Sequence, residues 1–73
     1  MGDLFDPSRN AVFRRYLYQI PPWNEPEDPV EQAFWRGWNF PDADFYVPKE
    51  SDAYAAWLAG RETARFAAQF ADD

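Results

Sequence analysis

The sequence contains no cysteine and no histidine. Without cysteine there can be no disulfide and no thiol chemistry, which is typical of proteins in a reducing compartment. Without either residue, the common nucleophile–base pairs and most transition-metal sites are excluded. The chain has 3 glycines and no glycine-rich phosphate loop. We therefore expect no enzymatic activity, no catalytic residues, no metal and no cofactor.

Long apolar runs are also missing. No stretch approaches the roughly 20 apolar residues that span a bilayer. The start of the chain has neither the basic region nor the apolar region of a signal peptide. Asp6 stands where a myristoylation signal has Ser or Thr. These features predict a soluble, cytoplasmic protein that does not contact membranes.

Basic residues are scarce, with 7 Lys and Arg against 13 Asp and Glu and a net charge of −6. Residues 25–52 hold eight acids against Arg36 and Lys49, so this middle third carries a charge equal to that of the whole chain. An acidic surface repels nucleic acid and attracts basic protein surfaces. We expect a basic, nucleic-acid-binding protein or complex as the partner, and no direct contact with nucleic acid.

Aromatic residues are abundant, with 4 Trp, 4 Tyr and 7 Phe among 73 residues. They bury enough surface to build a core without disulfides, so residues 1–73 are expected to form a single small domain. Aromatic side chains also anchor protein interfaces. Trp35 lies either in the core or beside the acids as an exposed anchor, and the same two alternatives hold for Phe45 and Tyr46.

Start signals predict three helices, at about 7–20, 29–38 and 52–70. Asp6-Pro7 and Asp28-Pro29 each place an N-cap residue before a proline, and Ser51 or Asp52 caps the last helix. The fold class is therefore all-α: a small three-helix domain with a Pro-rich connector and a long aromatic loop.

Segments between the helices carry further aromatic residues. The connector holds Trp23, which either packs onto the core or lies at a contact surface.

In the third helix, Phe66 and Phe70 lie about 140° away from the face of Trp57. Either the first helix covers this second face, or it meets a partner or a second copy in a homodimer.

Two segments, Ala33–Gly37 and Ala56–Gly60, share the pattern Ala-x-x-x-Gly with a Trp inside. Small residues four apart let two helices approach closely. With the surrounding sequence Ser51–Ala64, which includes Ala-Trp-Leu-Ala-Gly-Arg, the chain resembles the ribosome modulation factor family and its small phage and plasmid relatives. The resemblance covers about Glu31 to Phe66 and implies a shared two-helix scaffold. That family is strongly basic and lies against ribosomal RNA, whereas this chain is acidic, which puts an RNA-binding role in doubt.

The leading functional hypothesis is a small acidic inhibitor that blocks a nucleic-acid-handling protein complex, with carboxylates in place of phosphates. Phage counter-defence, such as an anti-CRISPR protein, is the class that most often uses such proteins. The predicted partner-binding residues are Glu25, Glu27, Asp28, Glu31, Trp35, Asp42, Asp44, Phe45, Tyr46, Glu50 and Asp52.

Three alternatives remain beside that hypothesis, and the homodimeric structural module with Phe66 and Phe70 as its seam is one of them. Another is a ribosome-associated regulator, which requires that the five arginines of the first and third helices converge on one basic face. These are Arg9, Arg14, Arg15, Arg61 and Arg65. The third is that the acidic surface only keeps an aromatic-rich protein in solution.

Overall fold

The structure, a computed structural model, describes residues 9–71, with side chains for residues 9–69. It contains three helices, α1 (Ala11–Tyr16), α2 (Pro29–Asn39) and α3 (Asp52–Ala71), and no strand within residues 9–71. The prediction of an all-α, three-helix domain is therefore confirmed.

Helix α1 is much shorter than the predicted span of 7–20, and within the described residues that prediction was wrong at 9–10 and after Tyr16. Asn10 is the N-cap, because its side-chain oxygen accepts hydrogen bonds from the N–H groups of Val12 (2.8 Å) and Phe13 (3.1 Å). The proposed start at Asp6-Pro7 lies outside the described residues. At the other end, Leu17 is extended and Tyr18 adopts a φ of 65°.

A tertiary hydrogen bond explains the early end of α1. The Tyr18 N–H donates to the hydroxyl of Thr63 in α3 at 2.8 Å, and that hydroxyl donates in turn to the Ala59 carbonyl at 2.7 Å. A left-handed conformation is unfavourable for a tyrosine and persists only where the surroundings hold it. The contact with α3 thus overrides the local apolar periodicity that predicted a helix up to Ile20.

Helices α2 and α3 begin where their caps predicted. The carboxylate of Asp28 accepts from the N–H groups of Val30 and Glu31, both at 3.1 Å. Ser51, the first of the two proposed caps of α3, accepts from Tyr54 N–H at 3.2 Å through its hydroxyl. Both helices end one residue beyond the predicted positions.

The contact between α2 and α3 is the largest between helices, and the two Ala-x-x-x-Gly elements form it. A Cβ added to Gly37 would overlap the carbonyl oxygen of Trp57, and one added to Gly60 would overlap that of Phe34. Ala33 and Ala56 are buried at the same seam. The prediction that these small residues allow close approach is confirmed.

Helix α1 packs mainly on α3 and completes the core with Phe13. The Tyr16 ring also lies 4.9 Å from the Phe34 ring of α2. After α1, the Tyr18 ring packs 5.0 Å from that of Phe66, which still leaves Phe66 44% exposed. The second face of α3 is thus partly covered from within the chain at Phe66, while the side chain of Phe70 lies outside the described residues.

An acidic aromatic cleft

A cleft of about 260 Å³ opens where the connector, the end of α2 and the long loop meet. We call it the acidic aromatic cleft, and its lining residues are Glu25, Trp35, Arg36, Phe40, Ala43, Asp44, Phe45 and Trp57. Four predicted partner-binding residues, two acids and two aromatics, meet here from three segments of the chain. They are Glu25, Trp35, Asp44 and Phe45.

Trp35 forms one wall of the cleft. Its indole N–H donates to the Pro22 carbonyl at 3.1 Å, which fixes the ring against the connector. The Phe40 ring meets it edge to face, with centroids 6.0 Å apart. Trp35 is half-buried, so it neither enters the core nor stands free: it presents part of its ring to the cleft.

Phe45 forms another part of the lining. Its ring stacks on that of Trp57, with centroids 5.5 Å apart and planes 14° from parallel. Trp57 is 7% exposed and belongs to the core, and the Arg61 guanidinium lies 5.3 Å from its ring centroid. Because Trp57 already has these two neighbours, the ring faces open to a ligand are mainly those of Trp35, Phe40 and Phe45.

Charged groups line the same cleft. The Glu25 carboxylate accepts a hydrogen bond from Arg36 Nε at 2.8 Å. The Asp44 carboxylate accepts one from the Tyr46 hydroxyl at 2.9 Å, and this bond raises the pKa of the Tyr46 phenol. Two carboxylates and one guanidinium leave the cleft with a surplus of one negative charge.

Tyr46 itself is 87% exposed, so of its two alternatives the exposed position is the one observed. Its hydroxyl reaches back to Asp44 while its ring stays in solvent. Such a ring beside a carboxylate is available to an incoming surface without further rearrangement of the core.

The remaining predicted acids are exposed but are not gathered in the cleft. Asp28 caps α2, Glu31 lies in the first turn of α2, and Asp52 lies in the first turn of α3, where negative charge stabilises the helix dipole. Glu31 lines a different concavity with Arg15 and Tyr16. Burial is the larger cause that raises the pKa of the Tyr16 phenol, and the negative charge of Glu31 raises it further. Glu27, Asp42 and Glu50 lie in the connector and loop.

Sequence reasoning missed Arg36, Phe40 and Trp57 as cleft residues. Phe40 had a usable signal, since it follows α2 directly and precedes Pro41, so its side chain had to lie near the helix end. The pairing of Arg36 with Glu25 had none, because it joins residues 11 apart across an irregular connector.

The connector exposes two large apolar side chains. Trp23 is 94% exposed and Ile20 is 84% exposed, so of the two alternatives for Trp23, packing onto the core was wrong. Both line a concavity with Trp38 and Asn39 that has no charged side chain in its lining. This patch is a second apolar surface, distinct in chemistry from the acidic aromatic cleft.

The arginines of α1 and α3 are already engaged in part. The Arg15 guanidinium lies 5.6 Å from the Tyr16 ring centroid, and Arg61 lies over Trp57 with its Nε buried and unpaired among the described residues. Arg14 and Arg65 are exposed. Arg61 is therefore poorly placed to present a free cation to a phosphate.

Within residues 9–71, no group of three or more acidic, histidine or cysteine side chains is arranged to hold a metal ion. No helix in the same part of the chain combines the length and the apolar character needed to cross a bilayer.

Comparison with known proteins adds no family assignment. No family model matches the sequence, and no match is found among curated proteins or solved structures. The resemblance to the ribosome modulation factor family therefore stays a prediction.

Proposed function

We propose that this protein acts by binding, in the cytoplasm, to a basic nucleic-acid-handling protein or complex, and that it inhibits this partner by covering the surface that would hold nucleic acid. The observation that carries the proposal is the acidic aromatic cleft, where two carboxylates and several aromatic rings meet at the surface. Phage counter-defence, including anti-CRISPR activity, is the biological setting that we propose for it.

The first support for this proposal is the charge of the acidic third of the chain. All eight acids between residues 25 and 52 are exposed, so their charge is available to a partner. The chain has a net charge of −6 and a sequence pI of about 4.4. Complementary charge speeds encounter and selects basic partners, and its effect declines as salt screens it.

Aromatic exposure supports it second. Charge alone gives a long-range attraction, whereas affinity at protein interfaces comes mainly from a few large anchors. Phe40 is 54% exposed and Tyr46 is 87% exposed, and both lie next to cleft carboxylates. An acidic surface that served solubility alone would not need these rings at its centre.

The test is affinity capture from bacterial lysate, with and without nuclease, followed by mass spectrometry and by competition with added DNA. We expect a basic nucleic-acid-handling protein whose capture survives nuclease and is reduced by DNA. Purified protein should then inhibit nucleic-acid binding by that partner. Recovery of ribosomal proteins that nuclease abolishes would contradict the proposal and favour the ribosome-associated alternative.

A matched pair of charge reversals sharpens the test. Asp42→Lys changes an exposed loop acid in the acidic third, and Glu62→Lys makes the same change at an exposed position of α3. Both alter the net charge equally, so a general charge effect would weaken binding equally. We expect Asp42→Lys to weaken binding more, and equal losses would mean that the acidic third is not the contact surface.

A further inference from the structure

We propose that the acidic aromatic cleft receives a single arginine side chain of the partner. This inference rests on the proposed function, because it supposes a basic partner, and it specifies which group of that partner the cleft recognises. Three properties of the cleft carry it: its size, its chemistry and its rigidity.

The size of the cleft is sufficient for one side chain. The cleft encloses about 260 Å³. Pockets that hold drug-sized ligands occupy about 300–1,000 Å³, so this cleft lies just below that range. It opens to solvent beside the exposed ring of Phe40, which allows entry from a protein surface without displacement of the helices.

Charge and ring faces select a cation. The lining holds Glu25 and Asp44 against Arg36, so one negative charge is left to be matched. Aromatic faces attract cations through their negative quadrupole. Trp35, Phe40 and Phe45 supply such faces around the carboxylates, so a cation entering the cleft gains both interactions at once.

Geometry favours a guanidinium over an ammonium group. A guanidinium is planar, stacks on aromatic rings, and presents several N–H groups that fit a carboxylate. The chain already shows both of these interactions near the cleft. Arg61 lies 5.3 Å from the Trp57 ring centroid, and Arg36 donates to Glu25 at 2.8 Å. A partner arginine would repeat the same combination at Asp44.

Rigidity reduces the entropy lost on binding. The hydrogen bond to Pro22 holds Trp35, and stacking on Trp57 holds Phe45. The Tyr46 hydroxyl orients the Asp44 carboxylate. These contacts restrict Trp35, Phe45 and the Asp44 carboxylate before any ligand arrives.

Two other concavities in the described part of the chain provide a comparison. The one beside Ile20 and Trp23 has no charged lining residue. The one beside Tyr16 contains Arg15 and Glu31, whose charges cancel. Neither combines surplus negative charge with several ring faces, so a free arginine derivative should distinguish the acidic aromatic cleft from both.

The experiment is a titration of the full chain with N-acetyl-arginine amide, followed by two-dimensional ¹H–¹⁵N NMR. The four indole N–H signals, from Trp23, Trp35, Trp38 and Trp57, report on separate regions. We expect saturable shifts of the Trp35 and Trp57 signals and little change at Trp23. The control ligand, N-acetyl-citrulline amide at matched ionic strength, has nearly the same shape without the charge and should cause no saturable shift.

Variants place the interaction within the cleft. Asp44→Asn removes one of the two cleft carboxylates and should weaken arginine binding by roughly tenfold or more, since tenfold corresponds to about 1.4 kcal/mol and a charged hydrogen bond contributes at least that much. Glu62→Gln removes one charge at an exposed position of α3 outside the lining, so it is the matched control and should bind as the wild type does. Equal losses in the two variants would overturn the assignment, as would equal shifts with citrulline or tighter binding of N-acetyl-lysine amide.

This titration needs no partner, so its failure is separate from failure of the proposed function. If arginine amide does not bind but Asp42→Lys still releases a captured basic partner, the arginine pocket is wrong and the proposed function stands. If arginine amide binds as expected and no basic partner is captured, the cleft assignment stands and the proposed inhibition is wrong.

Discussion

Gly37 and Gly60 occupy equivalent positions on the two sides of the contact between α2 and α3. A Cβ on Gly60 would overlap the Phe34 carbonyl oxygen and lie 2.9 Å from Trp38 N. A Cβ on Gly37 would overlap the Trp57 carbonyl oxygen and lie 3.1 Å from Arg61 N. Gly37 therefore packs on the backbone between Trp57 and Arg61, which surrounds Gly60, and Gly60 packs on the backbone between Phe34 and Trp38, which surrounds Gly37. The contact between the two helices thus has a local two-fold symmetry.

Gly60→Ala should destabilise the protein. Alanine is favoured over glycine in a helix by about 1 kcal/mol, but overpacking costs about 1–3 kcal/mol and here falls on backbone atoms that cannot rotate away. We expect a net loss of up to about 2 kcal/mol, measured as a lower urea midpoint by tryptophan fluorescence. Ala68→Gly, at an exposed position of α3, is the control for helix propensity. A midpoint for Gly60→Ala at or above that of the wild type would contradict the packing described.

Thr63→Val should show how much the hydroxyl of Thr63 contributes to stability, because the substitution keeps the volume of the side chain. Valine fills the same volume but cannot accept the N–H of Tyr18, which would then lose its partner beside α3. Leaving such a donor unsatisfied costs about 1–3 kcal/mol. Thermal unfolding followed by circular dichroism would measure the loss. Thr63→Ser keeps the hydroxyl and should lose less, so a larger loss for serine than for valine would show that the methyl group matters more than the hydrogen bond.

Two substitutions at Asp28 should separate the contribution of its capping oxygen to stability from the contribution of its charge. Asp28→Asn removes the charge but keeps an oxygen that accepts from Val30 and Glu31 N–H, so stability should change little. Asp28→Ala removes both and should cost about 0.5–2 kcal/mol. Urea unfolding of the two variants checks this. If asparagine were as destabilising as alanine, the charge at the α2 N-terminus would outweigh the cap.

Tyr46 should titrate above its ordinary pKa of 10.0, because Asp44 accepts its hydrogen bond and because the nearby carboxylate disfavours a phenolate. A pKa raised on folding means that this bond stabilises the folded state at neutral pH, and that the contribution is lost as pH rises through 10 and above. Absorbance at the phenolate band, as a difference between wild type and Tyr46→Phe, gives the titration.

In Asp44→Asn the Tyr46 curve should move back to lower pH, because the carboxylate charge is removed and the remaining amide oxygen is a weaker hydrogen-bond acceptor. Asp42→Asn is the control and should leave the curve in place. A Tyr46 curve that is the same in all three backgrounds would show that the hydroxyl does not bond to Asp44 in solution.

Local signals predicted α2 and α3 well. An N-cap residue and the Ala-x-x-x-Gly spacing act within a single helix, so they can be recognised without knowledge of the fold. The length of α1 could not be predicted, because Tyr18 takes its conformation from a bond to Thr63, 45 residues away. The apolar periodicity predicted that the helix continues to Ile20, but this distant contact ends it earlier.

For the site, the sequence supplied candidate acids and aromatics but not their grouping. Glu25, Trp35, Asp44 and Phe45 come from a connector, a helix and a loop, and irregular backbone decides where each one lies. Acids with a local role, such as Asp28 at its cap, look the same in sequence as Asp44 in the cleft. The separation of the two kinds required the hydrogen bonds of the folded chain.

Because α1 is short, we expect the parts of the molecule to unfold locally in a defined order. Six residues are too few for a helix to persist alone, so α1 depends on α3 for its stability, whereas α2 and α3 hold each other through backbone contact. Amide hydrogens of residues 11–18 should therefore exchange with solvent before those of residues 33–37 and 55–60. The Glu25 side of the cleft adjoins the part that opens first, whereas Trp35 and Phe45 rest on the pair that opens last.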